Sequence, residues 1–159
     1  MGFDLVRKKA CCAFNSRTWS ELIFLAVGCG WEPTGTGPPQ GVPARNWPGV
    51  YFSNDGQLLY ARDAKRLADV LEKVIVAPSA FSLDSARPRL SRWFRTPEGR
   101  QAQQTMGVFG RLERVLTGSD SPKRPESAGA RELWLLTDDG KSCLRDFIKF
   151  CRGGSFRIY

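Results

Sequence analysis

The chain has 159 residues, a length typical of one domain, and 42% of them are hydrophobic, enough to form a core without disulfides or metals. Its 24 lysines and arginines outnumber its 16 aspartates and glutamates, so its net charge is +8, and it contains no histidine. The lack of histidine excludes Ser-His-Asp and Cys-His catalysis, histidine-ligated iron and finger-type zinc sites.

The sequence favours a cytoplasmic protein that does not enter a membrane. Its longest apolar stretch, residues 22–27, is far shorter than the roughly 20 residues that a membrane span needs. The basic residues near the N-terminus precede no apolar segment, so we expect no signal peptide, and Val6 breaks the myristoylation pattern.

Cysteine usage also indicates a reducing compartment. The cysteines are odd in number and lack the spacing of a disulfide framework, so we expect reduced and mostly buried thiols. A zinc site built from four distant cysteines is the alternative. The five positions are Cys11, Cys12, Cys29, Cys143 and Cys151.

The first predicted elements are a strand and an apolar helix. The strand lies around residues 3–5 or 12–14. Residues 18–27 are apolar nearly all round, which predicts a central helix that begins at an N-cap, Ser16, and ends in glycines. A proline- and glycine-rich connection, residues 34–48, follows.

A β-hairpin is predicted over residues 51–60. Asp55-Gly56 can adopt the two positive φ angles of a type I′ turn, and apolar residues flank it on both sides. In that register Phe52 would face Leu59.

Three more helices are predicted from the spacing of apolar residues. Residues 64–75 show a clear apolar stripe that Pro78 ends. Residues 97–116 follow a capping threonine, and residues 141–152 precede a glycine pair and a C-terminal strand at 155–158. Residues 18–33 and 141–158 therefore suggest a repeated helix–glycine–strand unit.

The excess positive charge is concentrated in an arginine-rich segment, residues 87–116, which has seven arginines and only two acidic residues. Arginine grips phosphate bidentately, and Trp93 and Phe94 among the arginines could stack on bases, so this segment is a candidate nucleic-acid surface. The alternative is a solvated helix face with Trp93 covering the edge of the core. The candidate binding residues are Arg87, Arg89, Arg92, Trp93, Arg95, Arg100, Arg111 and Arg114.

No catalytic, metal or cofactor site emerges from the remaining motifs. Asp138 and Asp139, with Glu132, could bind a cation, but a role as cap and dipole partner of the next helix is favoured. Residues 140–142 match the end of a phosphate-binding Walker loop, yet Leu135 stands where its first glycine belongs. We therefore expect no enzyme activity.

Both ends of the chain resemble a group of small uncharacterised bacterial proteins. The resemblance implies a shared fold and no activity, and it does not extend to residues 78–130, which look like a variable insert. It is carried by residues 19–22, 30–33, 51–57, 64–71 and 147–158.

Together these patterns predict a single α+β domain over residues 1–159, with a small, mainly antiparallel sheet and about three helices on one face. A basic insert at residues 78–130 includes a mobile loop at 117–130. The favoured function is a non-enzymatic module that binds another protein, with Trp31, Trp47 and Trp93 as contact residues in loops. The alternative is DNA or RNA binding through residues 87–116.

Overall fold

A computed structural model describes residues 2–77, 82–105, 135 and 137–159. These residues form four strands, five helices and a short 3-10 turn at Ala44–Asn46. The strands are β1 (Gly2–Arg7), β2 (Ala10–Asn15), β3 (Gln57–Leu59) and β4 (Phe156–Ile158). The helices are α1 (Ser16–Gly28), α2 (Ala61–Val76), α3 (Leu83–Trp93), α4 (Pro97–Thr105) and α5 (Asp138–Arg152).

The four strands make one antiparallel sheet in the order β2-β1-β4-β3. Side chains alternate between its two faces, and Phe3, Leu5, Phe156 and Ile158 point into the core. Both candidate positions for the N-terminal strand are strands, paired as a hairpin. The predicted α+β class and the C-terminal strand are thus confirmed.

The helices cover the inner face of the sheet. As predicted, α1 is the central helix and is buried from Leu22 to Gly28, but its N-cap is Asn15, whose Oδ1 accepts from the Thr18 N–H at 2.8 Å. Helices α2 and α5 pack side by side, where Arg152 pairs with Glu72.

Aromatic rings fill the space between α1, the sheet and α5. Trp19 is fully buried, and its ring centroid lies 5.9 Å from that of Phe3 and 6.1 Å from that of Phe147. The Trp19 Nε1–H donates to the Tyr51 carbonyl at 2.8 Å, so this packing also fixes the connection between α1 and β3.

The predicted hairpin at 51–60 is wrong. The strand β3 pairs with β4 instead of with residues 51–54, and no non-glycine residue of the described ranges has a positive φ, so Asp55 cannot make a type I′ turn. Tertiary contacts override the local turn signal, because Tyr51 and Phe52 are both buried in the core.

The basic insert contains a helix that the sequence analysis missed. Helix α3 buries Ala86, Leu90 and Trp93 at helical spacing, and it packs against α1. The predicted helix at 97–116 is confirmed as α4 up to Thr105; its remainder and the predicted mobile loop lie outside the described residues. The proposed repeat is wrong, because residues 31–33 form no strand.

Candidate binding surface

The structure places five of the predicted nucleic-acid-binding arginines on the surface of α3, α4 and the turn between them. Arg89 Nη1 donates to the Gly28 carbonyl at 3.0 Å and so caps the C-terminus of α1. Arg92, Arg95 and Arg100 pair with no acidic side chain among the described residues. Arg111 and Arg114 lie outside those residues.

Trp93 belongs to the core, so its predicted stacking on a nucleobase is wrong. Its side chain is only 6% exposed, and its ring meets that of Phe24 edge-on with the centroids 5.4 Å apart. The alternative interpretation, that Trp93 covers the edge of the core, describes its position.

Of the loop tryptophans suggested as contact residues, Trp31 is buried against Tyr51, with the ring centroids 5.3 Å apart. Trp31 therefore cannot contact a partner. Trp47 is half-buried, and its Nε1–H donates to the Thr36 hydroxyl at 3.0 Å. Both rings anchor the irregular connection.

A buried tyrosine–aspartate pair strengthens the same connection. The Tyr51 hydroxyl donates to Asp63 Oδ2 at 2.6 Å and accepts from the Gly35 N–H at 2.8 Å, while the Thr34 N–H donates to the same carboxylate oxygen at 3.3 Å. Burial, reinforced by the neighbouring Asp63 carboxylate, raises the pKa of Tyr51 far above its usual value, so Tyr51 remains a neutral donor. The pair therefore ties the connection to the first turn of α2.

Burial keeps the thiols of Cys12, Cys29, Cys143 and Cys151 protonated at neutral pH. Burial, with a smaller contribution from Cys143, raises the pKa of Cys12 to about 11, and burial raises the pKa of Cys29 to about 11 as well. The pKa values of Cys143 and Cys151 are raised mainly by burial too. A protonated thiol is a weak nucleophile and a weak metal ligand.

The acidic motif ahead of α5 serves the helix. Thr137 is the N-cap, with its hydroxyl accepting from the Gly140 N–H at 3.3 Å, and the exposed Asp138 and Asp139 lie in the first turn, where they complement the helix dipole. Residues 140–142 are helical and do not form a phosphate-binding loop, and Glu132 lies outside the described residues. Within the described ranges, no three aspartate, glutamate or cysteine side chains are placed to hold a metal ion.

The sequence analysis did not identify the outer face of the sheet as a site. Val6, Tyr60 and Tyr159 are 40%, 48% and 46% exposed, and they are three of the four large hydrophobic side chains that the described residues leave exposed. Val6 lies opposite Arg157, and Arg157 lies opposite the half-buried Leu58. We call the surface formed by Val6, Leu58, Tyr60, Arg157 and Tyr159 the open face.

An open groove of about 350 Å³ runs along this face. Val6, Leu58 and Tyr159 supply its apolar surface, and Arg7, Lys8 and Arg157 supply its charge. None of these three basic side chains pairs with an acidic side chain in the part of the chain that the structure describes. The groove is therefore apolar in part and positively charged.

Intramolecular contacts hold several of these side chains in place. The Arg7 guanidinium carbon lies 5.3 Å from the centroid of the Phe150 ring, and an Arg157 N–H donates to the Gly56 carbonyl. The Tyr159 ring lies on Gly56, since a Cβ at that glycine would be 2.8 Å from Tyr159 Cε1. The groove is thus largely formed before anything binds.

Searches against protein-family models, curated proteins and solved structures found no match to the chain. The resemblance to a group of bacterial proteins therefore stays a prediction. No helix in the described residues has the length and apolar character that crossing a membrane requires.

Proposed function

We propose that the protein is a non-enzymatic interaction module that binds another protein through its open face. The observation that supports this best is that Val6 and Tyr159, two of the large hydrophobic side chains left exposed by the described residues, line the same groove. Scattered exposed hydrophobics are ordinary, whereas a group rimmed by polar residues is typical of a binding site.

The composition of the open face suits a protein partner. Tyrosine and arginine are enriched among the residues that dominate protein–protein affinity, and the face contributes Tyr60, Tyr159 and Arg157. Val6 and Leu58 add aliphatic surface beside Arg157, which a partner's apolar side chains can cover.

Capture experiments on variants of the open face test this proposal. Val6→Asp places a carboxylate in the middle of the apolar surface, and we expect it to abolish the retention of proteins that the native chain captures from a host extract. The matched control is Val76→Asp, because Val76 is 79% exposed but lies at the end of α2, away from the open face.

Circular dichroism and thermal unfolding establish that both variants are folded. If the Val6→Asp chain retains the same proteins as the native chain, the open face is not the binding surface.

A second candidate function is nucleic-acid binding through the arginine-rich segment. It is favoured by the exposure of Arg92, Arg95 and Arg100 and by their lack of acidic partners among the described residues. With Trp93 buried, such binding would rely on phosphate contacts and would therefore weaken steeply with salt.

Gel shifts with mixed-sequence oligonucleotides at low salt test this candidate. We expect Arg92→Gln/Arg95→Gln/Arg100→Gln to lose any shift, while neutralising the exposed Arg62, Lys65 and Lys73 of α2 removes the same charge elsewhere. A shift that depends equally on both triplets indicates a non-specific effect of net charge.

A further inference from the structure

We propose that the groove of the open face binds a short, extended, acidic peptide segment of its partner, with a carboxylate on Arg157 and apolar side chains over Val6 and Leu58. This inference rests on the proposed function. It adds the chemical class of the partner and the residues that select it.

Charge complementarity indicates an acidic segment. Arg7, Lys8 and Arg157 line the groove, and none of them has a carboxylate partner in the described ranges. Arg157 uses one N–H for the Gly56 carbonyl, which leaves donors of its guanidinium for a ligand. Arginine and carboxylate pair bidentately, so Arg157 can select one acidic side chain.

Arg157 is held in place before binding. Its guanidinium donates to the Gly56 carbonyl. Because this side chain is already ordered, binding loses less side-chain entropy than it would with a free arginine. The Arg7 guanidinium lies over Phe150 of α5, on the other side of the sheet, and does not join this row.

The layout of the groove suits an extended chain. Val6, Arg157 and Leu58 occupy register positions on three neighbouring strands, β1, β4 and β3. Adjacent strands lie about 4.8 Å apart, so this row spans roughly 10 Å. Three to four extended residues cover about that distance. Because successive side chains of an extended chain point to opposite sides, such a segment can place an acidic and an apolar side chain, two residues apart, on this row.

A peptide fits this surface better than a nucleic acid does, because it offers aliphatic side chains to Val6 and Leu58 beside the group that pairs with Arg157.

Selection of a phage-displayed random dodecapeptide library on the full chain tests the inference. We expect the enriched peptides to combine aspartate or glutamate with apolar residues and to bind Arg157→Gln about tenfold or more weakly, the loss typical of a charged hydrogen bond.

A matched control isolates the role of Arg157. Arg145→Gln removes an exposed charge of α5 outside the groove and should bind as the native chain does.

Three results would overturn the inference. They are enrichment of neutral or basic peptides that ignore Arg157→Gln, enrichment of no peptide at all, and displacement of acidic peptides by a single-stranded dT oligonucleotide that binds the groove. The proposed function fails separately, when Val6→Asp leaves protein capture unchanged.

Discussion

The open face and the arginine-rich segment are both positively charged, but they differ in what accompanies the charge. On α3 the apolar residues, Leu90 and Trp93 among them, turn inward, so the described part of the segment presents mainly arginines to solvent. On the open face, Val6 and Tyr159 remain exposed beside Arg157. A high density of charged residues along the sequence therefore indicates a solvated surface more readily than a binding site. A binding site also needs apolar area that a partner can bury.

The largest expected effect comes from removing the ring that anchors the arginine-rich segment to the core. Trp93→Ala should lower the free energy of unfolding by about 3–5 kcal/mol, because it leaves a cavity beside Phe24 and Phe52. Chemical denaturation measures the change. A loss below about 0.5 kcal/mol would contradict the placement of Trp93 in the core.

A smaller effect is expected at the connection that borders the open face. Tyr51→Phe removes the hydroxyl that donates to Asp63 and should cost about 1–3 kcal/mol, since it leaves a buried carboxylate with fewer partners. Gly37 of this connection pairs with Leu58, so loosening it should disturb the open face and leave the arginine-rich segment unchanged. Tyr60→Phe is the control, because Tyr60 is 48% exposed.

Tyr51→Phe should also change how the stability of the chain depends on pH. The pKa of Tyr51 is raised above the ordinary 10.0 in the folded chain, so its contribution to stability is fully present below pH 10 and decreases as the pH rises above that value. Between neutral pH and pH 11, the free energy of unfolding should therefore decrease less for Tyr51→Phe than for the native chain. If the free energy of unfolding decreased equally with pH in both chains, the assignment of Tyr51 as a buried neutral donor would be contradicted.

The smallest effect is expected from the exposed arginines themselves. Arg92→Gln/Arg95→Gln/Arg100→Gln should change the free energy of unfolding by no more than about 0.5 kcal/mol, because these side chains have no ion pair to lose among the described residues. Denaturation at two salt concentrations measures it. A large, salt-dependent loss would show that these arginines hold the fold together and are not a solvated surface.

The elements whose apolar residues recur at regular spacing were predictable from the sequence. Helices α1, α2 and α5 and the strand β4 follow directly from the spacing of their apolar residues. Helix α3 was missed because Pro88 and three arginines obscured Ala86, Leu90 and Trp93, which recur at helical spacing.

The errors arose where long-range contacts decide the structure. Asp55-Gly56 is a strong local turn signal, but the burial of Tyr51 against Asp63 draws the preceding residues into the core. The open face brings residues 6–8 together with Leu58 and residues 155–159, and only the pairing of β1, β4 and β3 makes them neighbours. The alternation of side chains along β1 and β4 could have indicated that Val6 and Tyr159 point outward. It could not have indicated that they share a surface with Leu58.

Side-chain footprinting with hydroxyl radicals, on the native chain alone and in complex with a captured protein partner, tests the open face most directly. We expect Tyr60 and Tyr159 to be protected in the complex, while Phe94, beside the exposed arginines, and the exposed Val76 keep their reactivity. Protection of Phe94 with unchanged reactivity of Tyr159 would place the partner on the arginine-rich segment and contradict the account.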